Sequence, residues 1–216
     1  MEKFAIRKAE RWTKQSGRLT LPGLELVYLW NGFTILGLHY QMVEKFFVII
    51  EQEMAGMEEK RGKTGSQEQF QLEDDCLLLL LKGMCLKYMS APLAAEDCMR
   101  KVLAMAGQGQ LKVDKYLAPY ATVELALLMN DSGNTGEAWS LLELAKNNYK
   151  DYSLQSRLHF RIHAAQNKIQ SKGGSKNTST STDVEVIMPI KQGKGDMVRE
   201  LESCTESELE DIIPHI

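Results

Sequence analysis

Apolar residues recur along this chain at helical spacing, not in alternation. Over residues 2–16, Phe4, Ala5, Ala9 and Trp12 share one face, and Gly17 follows as a suitable helix stop. Leu24, Tyr28, Leu29 and Phe33 predict a helix over 21–37, and Met42, Val43, Phe46, Phe47 and Ile50 another over 40–57. Segment 58–71 turns polar, with two glycines and one aromatic, and predicts a linker or long loop. Asp74 and Asp75 suit the N-terminus of a helix running to about Met89, because carboxylates offset its dipole. Pro92 opens the next helix, which reaches about Ala106 before Gly107 and Gly109 break it. Pro119 lies in the first turn of a helix over 118–130. Asn134 and Glu137 form a capping pair for one ending near Asn148. A last helix over 153–169 buries Leu158, Ile162, Ala165 and Ile169. Val184–Ile190 could be extended, but it is short and broken by Pro189. Paired helices with short turns predict an all-α fold of antiparallel hairpins.

Two of these hairpins repeat. With Gly83 aligned to Ala126, Leu86 matches Met129, Ala95 matches Ala138, Met99 matches Leu142 and Val102 matches Ala145. Small residues on both helices of a hairpin let the backbones approach, and bulky ones fill the gap to the next hairpin. This is the tetratricopeptide logic of an α-solenoid. The two units are 43 residues apart, against about 34 in the usual repeat, which implies an insertion around Gly107–Tyr116. A third unit centred on Gly32 keeps Ile35 in register but has Glu44 where a small residue belongs.

Charge and composition divide the chain in two. Its 216 residues carry a net charge of −3, but residues 196–211 hold seven acids and one base, so the preceding part is mildly basic. All 16 aromatic residues lie at or before Phe160. The expected organisation is a helical repeat domain over 1–169 and a mostly disordered tail over 170–216. In that tail, 170–182 forms a Ser/Thr-rich linker. Within the acidic part, Val198, Leu201, Leu209 and Ile212 fall near a helical period, as in a short partner-binding helix or a frayed coil.

Several function classes are excluded at this level. The longest apolar run, Cys76–Leu81, is far shorter than the roughly 20 residues a spanning helix needs. The first residues show neither a signal core nor a myristoylation glycine, so a cytoplasmic or nuclear location is expected. Cys76, Cys85, Cys98 and Cys204 form no C-x-x-C pair, and near-neutral charge does not suggest nucleic-acid binding. No phosphate-loop motif is present. His159 and His163 sit four apart on one helix face, but the string H-F-R-I-H lacks the glutamate of a zinc protease and nearby ligands to complete a set. Cys98 has no neighbour that would activate a thiolate.

The stretches FAIRKAERW (4–12), LELVYLWNGF (24–33), LLLLLKGMCLKY (77–88), DKYLAPYATVELALL (114–128) and AKNNYKDYSLQSRLHFRIHAA (145–165) carry a resemblance. Over residues 2–169 the chain resembles the C-terminal third of the tetratricopeptide repeat protein 39 family. The resemblance implies a helical repeat protein acting through protein–protein contact, with no catalytic residues and no cofactor to carry over. A long upstream region typical of the family is absent, so helix 2–16 looks like a truncated stack end open to self-association. Residues 170–216 match no part of the family.

The expected function is a non-enzymatic scaffold or adaptor. Its partner-binding face would be the first helix of each hairpin, with Leu29, Phe33, Leu80, Met84, Val123 and Leu127 as contacts. Because Leu80, Met84, Val123 and Leu127 are apolar, a Lys/Asn clamp for terminal carboxylates is not expected there. Lys146, Lys150, Arg157, Arg161, Lys168 and Lys172 form a solvated basic face or a landing site for an acidic peptide. The alternatives are a metal-binding or hydrolytic protein using His159 and His163, or a shortened product without independent function.

Overall fold

In the computed structural model, residues 2–64, 70–108 and 111–173 are described. Among them lie nine helices: α1 (Glu2–Lys14), α2 (Pro22–Leu29), α3 (Phe33–Leu36), α4 (Tyr40–Thr64), α5 (Gln71–Tyr88), α6 (Pro92–Gln108), α7 (Leu117–Asp131), α8 (Thr135–Asn147) and α9 (Gln155–Gly173). No strand occurs among the described residues. All of them belong to one compact unit, Met1–Lys176; the second, Asn177–Ile216, lies outside the described residues, as do the expected acidic helix and Ser/Thr linker beyond 173. None of the described helices is long and apolar enough to cross a membrane.

Consecutive helices pack from α4 to α9, and α5/α6 and α7/α8 are the closest pairs. Their contact registers follow the repeat. Gly83, Ala95, Met99 and Val102 are buried in the first hairpin, as are Ala126, Ala138, Leu142 and Ala145 in the second. A Cβ on Gly83 would stand 2.6 Å from the Met99 methyl and 3.1 Å from Cys98 Cβ, so the missing side chain is what lets α5 meet α6. The side chain of Asn134 accepts from the Glu137 N–H at 3.3 Å and donates to its carboxylate at 2.7 Å, closing the cap of α8. Gly17, at φ +82°, donates its N–H to the Trp12 carbonyl and ends α1.

Three expectations change. The helix expected over 21–37 is two, because Asn31 adopts φ 62° and Gly32 N–H turns back to the Val27 carbonyl. A Cβ on Gly37 would overlap the Tyr88 ring, which stacks on Phe33, so α3 lies directly against α5. The polar segment expected as a loop from 58 continues α4 to Thr64. Its Glu, Lys and Arg are good helix formers, and Arg61 grips Asp75 through both carboxylate oxygens, at 3.0 and 2.8 Å.

The third correction concerns α1. Its buried residues are Phe4, Lys8 and Arg11, whereas Ala5, Ala9 and Trp12 face outward, Trp12 with 52% of its surface exposed. The cause is a cluster of buried charge. Lys8 Nζ lies 2.7 Å from Glu25 and 2.9 Å from Asp114; Arg11 pairs with Asp74 at 2.5 Å and with Asp114. The Tyr116 hydroxyl donates to Glu25, and the Arg11 guanidinium lies 5.1 Å above the Phe70 ring. Asp114 belongs to the insertion that lengthens the repeat spacing. That insertion therefore has a structural role, since it brings in the carboxylate that receives both cations of α1.

Candidate functional site

The six residues expected to contact a partner do not form one open surface. Leu29 and Phe33 are 3% and 1% exposed, Leu80 and Val123 are at 0%, and all four belong to the hydrophobic core. Their burial has a simple cause: α2 packs on α5 and α5 packs on α7, so these inward positions fill helix–helix seams. Met84, although buried, and the half-buried Leu127 reach the wall of a groove.

That groove lies where α5, α7 and α9 come together. Two clefts, of about 320 and 210 Å³, share Lys87 from α5, Leu127 from α7, and Ala165 and Lys168 from α9. Helical periodicity delivers these side chains, since Met84 and Lys87 lie three apart, as do Glu124, Leu127 and Asn130, on single helix faces. Apolar Met84, Leu127 and Ala165 line the groove together with the cations Lys87, Arg161 and Lys168 and the carboxylates Glu124 and Asp131. Phe160, 65% exposed, stands at the edge.

Glu124 anchors the polar side of the groove. It is 1% exposed, and its Oε1 accepts from Arg161 at 2.6 Å and from the Tyr28 hydroxyl at 3.1 Å. Lys87 Nζ lies 3.7 Å from Oε2, within ion-pair range but beyond a hydrogen bond. Burial pushes the Glu124 carboxyl up; Arg161, Lys87 and the hydrogen bonds from Arg161 and Tyr28 outweigh it and hold the group below its ordinary value. Burial lowers the affinity of Arg161 for its proton, and Glu124 more than restores it, so Arg161 stays charged. At the other end of the groove Asn130 is 9% exposed, and its Oδ1 has no hydrogen-bond partner.

Sequence reasoning misses Lys87, Glu124 and Asn130. A single glutamate inside the apolar run YATVELALL is the available signal, because a carboxylate at a core position demands a cation. Arg161 and Lys168, expected in a basic face, do line the groove. The remaining candidates are arranged otherwise. Cys76 and Cys85 are buried, and burial pushes both thiols up to about 12; it raises the buried Cys98 thiol as well. His163 is exposed and His159 half-buried, and no cluster of three or more metal-ligating side chains occurs among the described residues.

Comparison with known proteins agrees with this architecture. A family model described as Iml2/Tetratricopeptide repeat protein 39 matches residues 1–89. The Tetratricopeptide repeat protein ttc-39B of Caenorhabditis elegans is 38% identical over 165 residues, which is 76% of this chain and 26% of that relative. The chain thus spans about a quarter of the curated relative's length. No solved structure matches it. The repeat register, the helical hairpins and these two matches together support the Iml2/Tetratricopeptide repeat protein 39 family for this chain.

Proposed function

We propose that this chain is a non-enzymatic protein-interaction module, a scaffold or adaptor, whose partner site is the groove between α5, α7 and α9. One observation carries the reading: two adjoining clefts share four residues from three helices and so make a continuous, preformed groove. A surface fixed by packed helices costs little to order on binding, which is the physical advantage of repeat proteins as binders. Of the residues expected from the sequence, Met84 and Leu127 serve as contacts here, and Leu29, Phe33, Leu80 and Val123 hold the helices that shape it. Raised thiol pKa values leave Cys76, Cys85 and Cys98 protonated at neutral pH, which disfavours nucleophilic chemistry at any of them.

Affinity capture followed by mass spectrometry tests the proposal with three forms of the full chain. These are the unaltered protein, Leu127→Glu in the groove, and Leu93→Glu on α6, where the side chain is 81% exposed. A partner retained by Leu93→Glu and lost by Leu127→Glu supports the groove. Partners indifferent to Leu127→Glu would remove it.

A further inference from the structure

We infer that the corner built by α2, α3 and the start of α4 is a second interaction surface, and that it takes an apolar helix face from a longer family relative. The five side chains that form it, Leu26, Trp30, Ile35, Leu38 and Tyr40, do not line the α5–α7–α9 groove, so the surface is independent of that site.

The short helices of this corner carry apolar side chains both inward and outward. Tyr28, Leu29 and Phe33 are buried in the core, yet Leu26, Ile35 and Trp30 are 43%, 47% and 52% exposed, Tyr40 55% and Leu38 79%. From Leu26 to Val43 the sequence has no Asp, Glu, Lys or Arg. A helix that is apolar all round belongs in an interior, and large apolar side chains exposed as a group mark an interaction site. The concentration is local. Past Ile49, the comparable exposed side chains among the described residues are Leu93, Leu144 and Phe160, each on a different helix.

Composition and length choose the occupant. An uncharged patch containing Trp and Tyr has the make-up of a protein interface core. A lipid surface fits it less well, because interfacial helices set a Lys- and Arg-rich face beside the apolar one. Leu26–Val43 supplies neither residue, and the neighbouring Arg157 lies over the Trp30 ring itself, 5.4 Å from its centroid. In a helical repeat stack each unit buries an apolar face against its neighbour, as α5/α6 and α7/α8 do here. The corner lies inside the stretch 1–89 matched by the family model, and the chain covers 26% of the Caenorhabditis elegans relative. About three-quarters of that relative therefore lies outside the match and is available to cover the corner, whereas no described residue covers it here.

Co-expression tests this, with the tagged full chain and the Caenorhabditis elegans relative either complete or shortened by the 165 matched residues. The shortened relative should stay soluble and co-purify with the chain. The complete relative should be excluded, because its own matched stretch fills the surface at high effective concentration. Leu38→Glu should lower recovery of the shortened relative by about tenfold, since the interface would bury an unpaired carboxylate. Leu93→Glu on α6 should leave it unchanged. Failure of the chain to recover the shortened relative, equal retention of the complete one, or indifference to Leu38→Glu would each overturn the inference. A different occupant would overturn it too: a dimer of the chain alone, or its sedimentation with phosphatidylcholine–phosphatidylserine vesicles, where Leu38→Glu abolishes either. Ile35→Glu supplies the same readouts where Leu38→Glu does not fold.

Discussion

Arg11→Met is the most informative single perturbation of the fold. The Arg11 side chain is 1% exposed, and its partners Asp74 and Asp114 are 6% and 4% exposed. Methionine fills most of the volume, so the loss is one of charge compensation. Asp114 keeps Lys8 at 2.9 Å, but Asp74 keeps only the Gln15 amide at 3.4 Å. Removing one partner of a buried ion pair costs about 3–5 kcal/mol, because the other charge stays desolvated. For a domain of this size each kcal/mol moves Tm by about 2–4 °C, which gives a fall of about 6–20 °C. Urea unfolding measures the global loss, and hydrogen exchange of peptides from α1 measures whether that helix undocks first. Adding Asp74→Asn to Arg11→Met should recover part of the stability, because it removes the stranded charge. A loss under about 1 kcal/mol, the size expected of an exposed pair, would refute the view that buried charge orients α1.

Three further outcomes follow from the same geometry. Glu124→Gln should cost about 1–3 kcal/mol at pH 7, since Arg161 and Lys87 lose their counter-charge. Because the Glu124 carboxyl titrates below its ordinary 4.5, its contribution is present above that pH and disappears as pH falls through the lowered value. Urea titrations of the two proteins should therefore converge in acid; a constant gap would contradict the assignment. Gly37→Ala should destabilise by about 1–3 kcal/mol through overlap with the Tyr88 ring. Gly83→Ala should cost less, because the flexible Met99 methyl can move, and thermal melts rank the two. Cys76, Cys85 and Cys98 should resist alkylation in the native protein at pH 7.5 and react only on unfolding, as peptide mass mapping would record; prompt labelling of any of the three would be inconsistent with their burial.

Much of this architecture is legible because helix packing writes a period into the sequence. The small and bulky positions from Gly83 to Val102 and from Ala126 to Ala145 announce both hairpins, and local capping chemistry announces the start of α8. The face of α1 is misread from sequence for a physical reason. Apolar periodicity assumes that charge seeks water, but Lys8 and Arg11 find three buried carboxylates contributed by α2, α5 and the segment before α7. Nothing local to α1 encodes those partners, which lie up to 106 residues away. The groove escapes sequence reasoning on similar grounds. The first-helix positions are apolar because they pack on one another, and the rest of the lining comes from α9 and from polar residues such as Lys87 and the buried Asn130.

The central claim is that partners meet this chain in the α5–α7–α9 groove. Site-specific photo-crosslinking in cells tests it most directly, with a photoreactive residue placed in the full chain at Phe160 on the groove edge or at Leu93 on α6, both well exposed. The account predicts a discrete crosslinked partner from position 160 and none of that species from position 93. The same species from position 93, or none from position 160 in cells where a partner co-purifies, would contradict it.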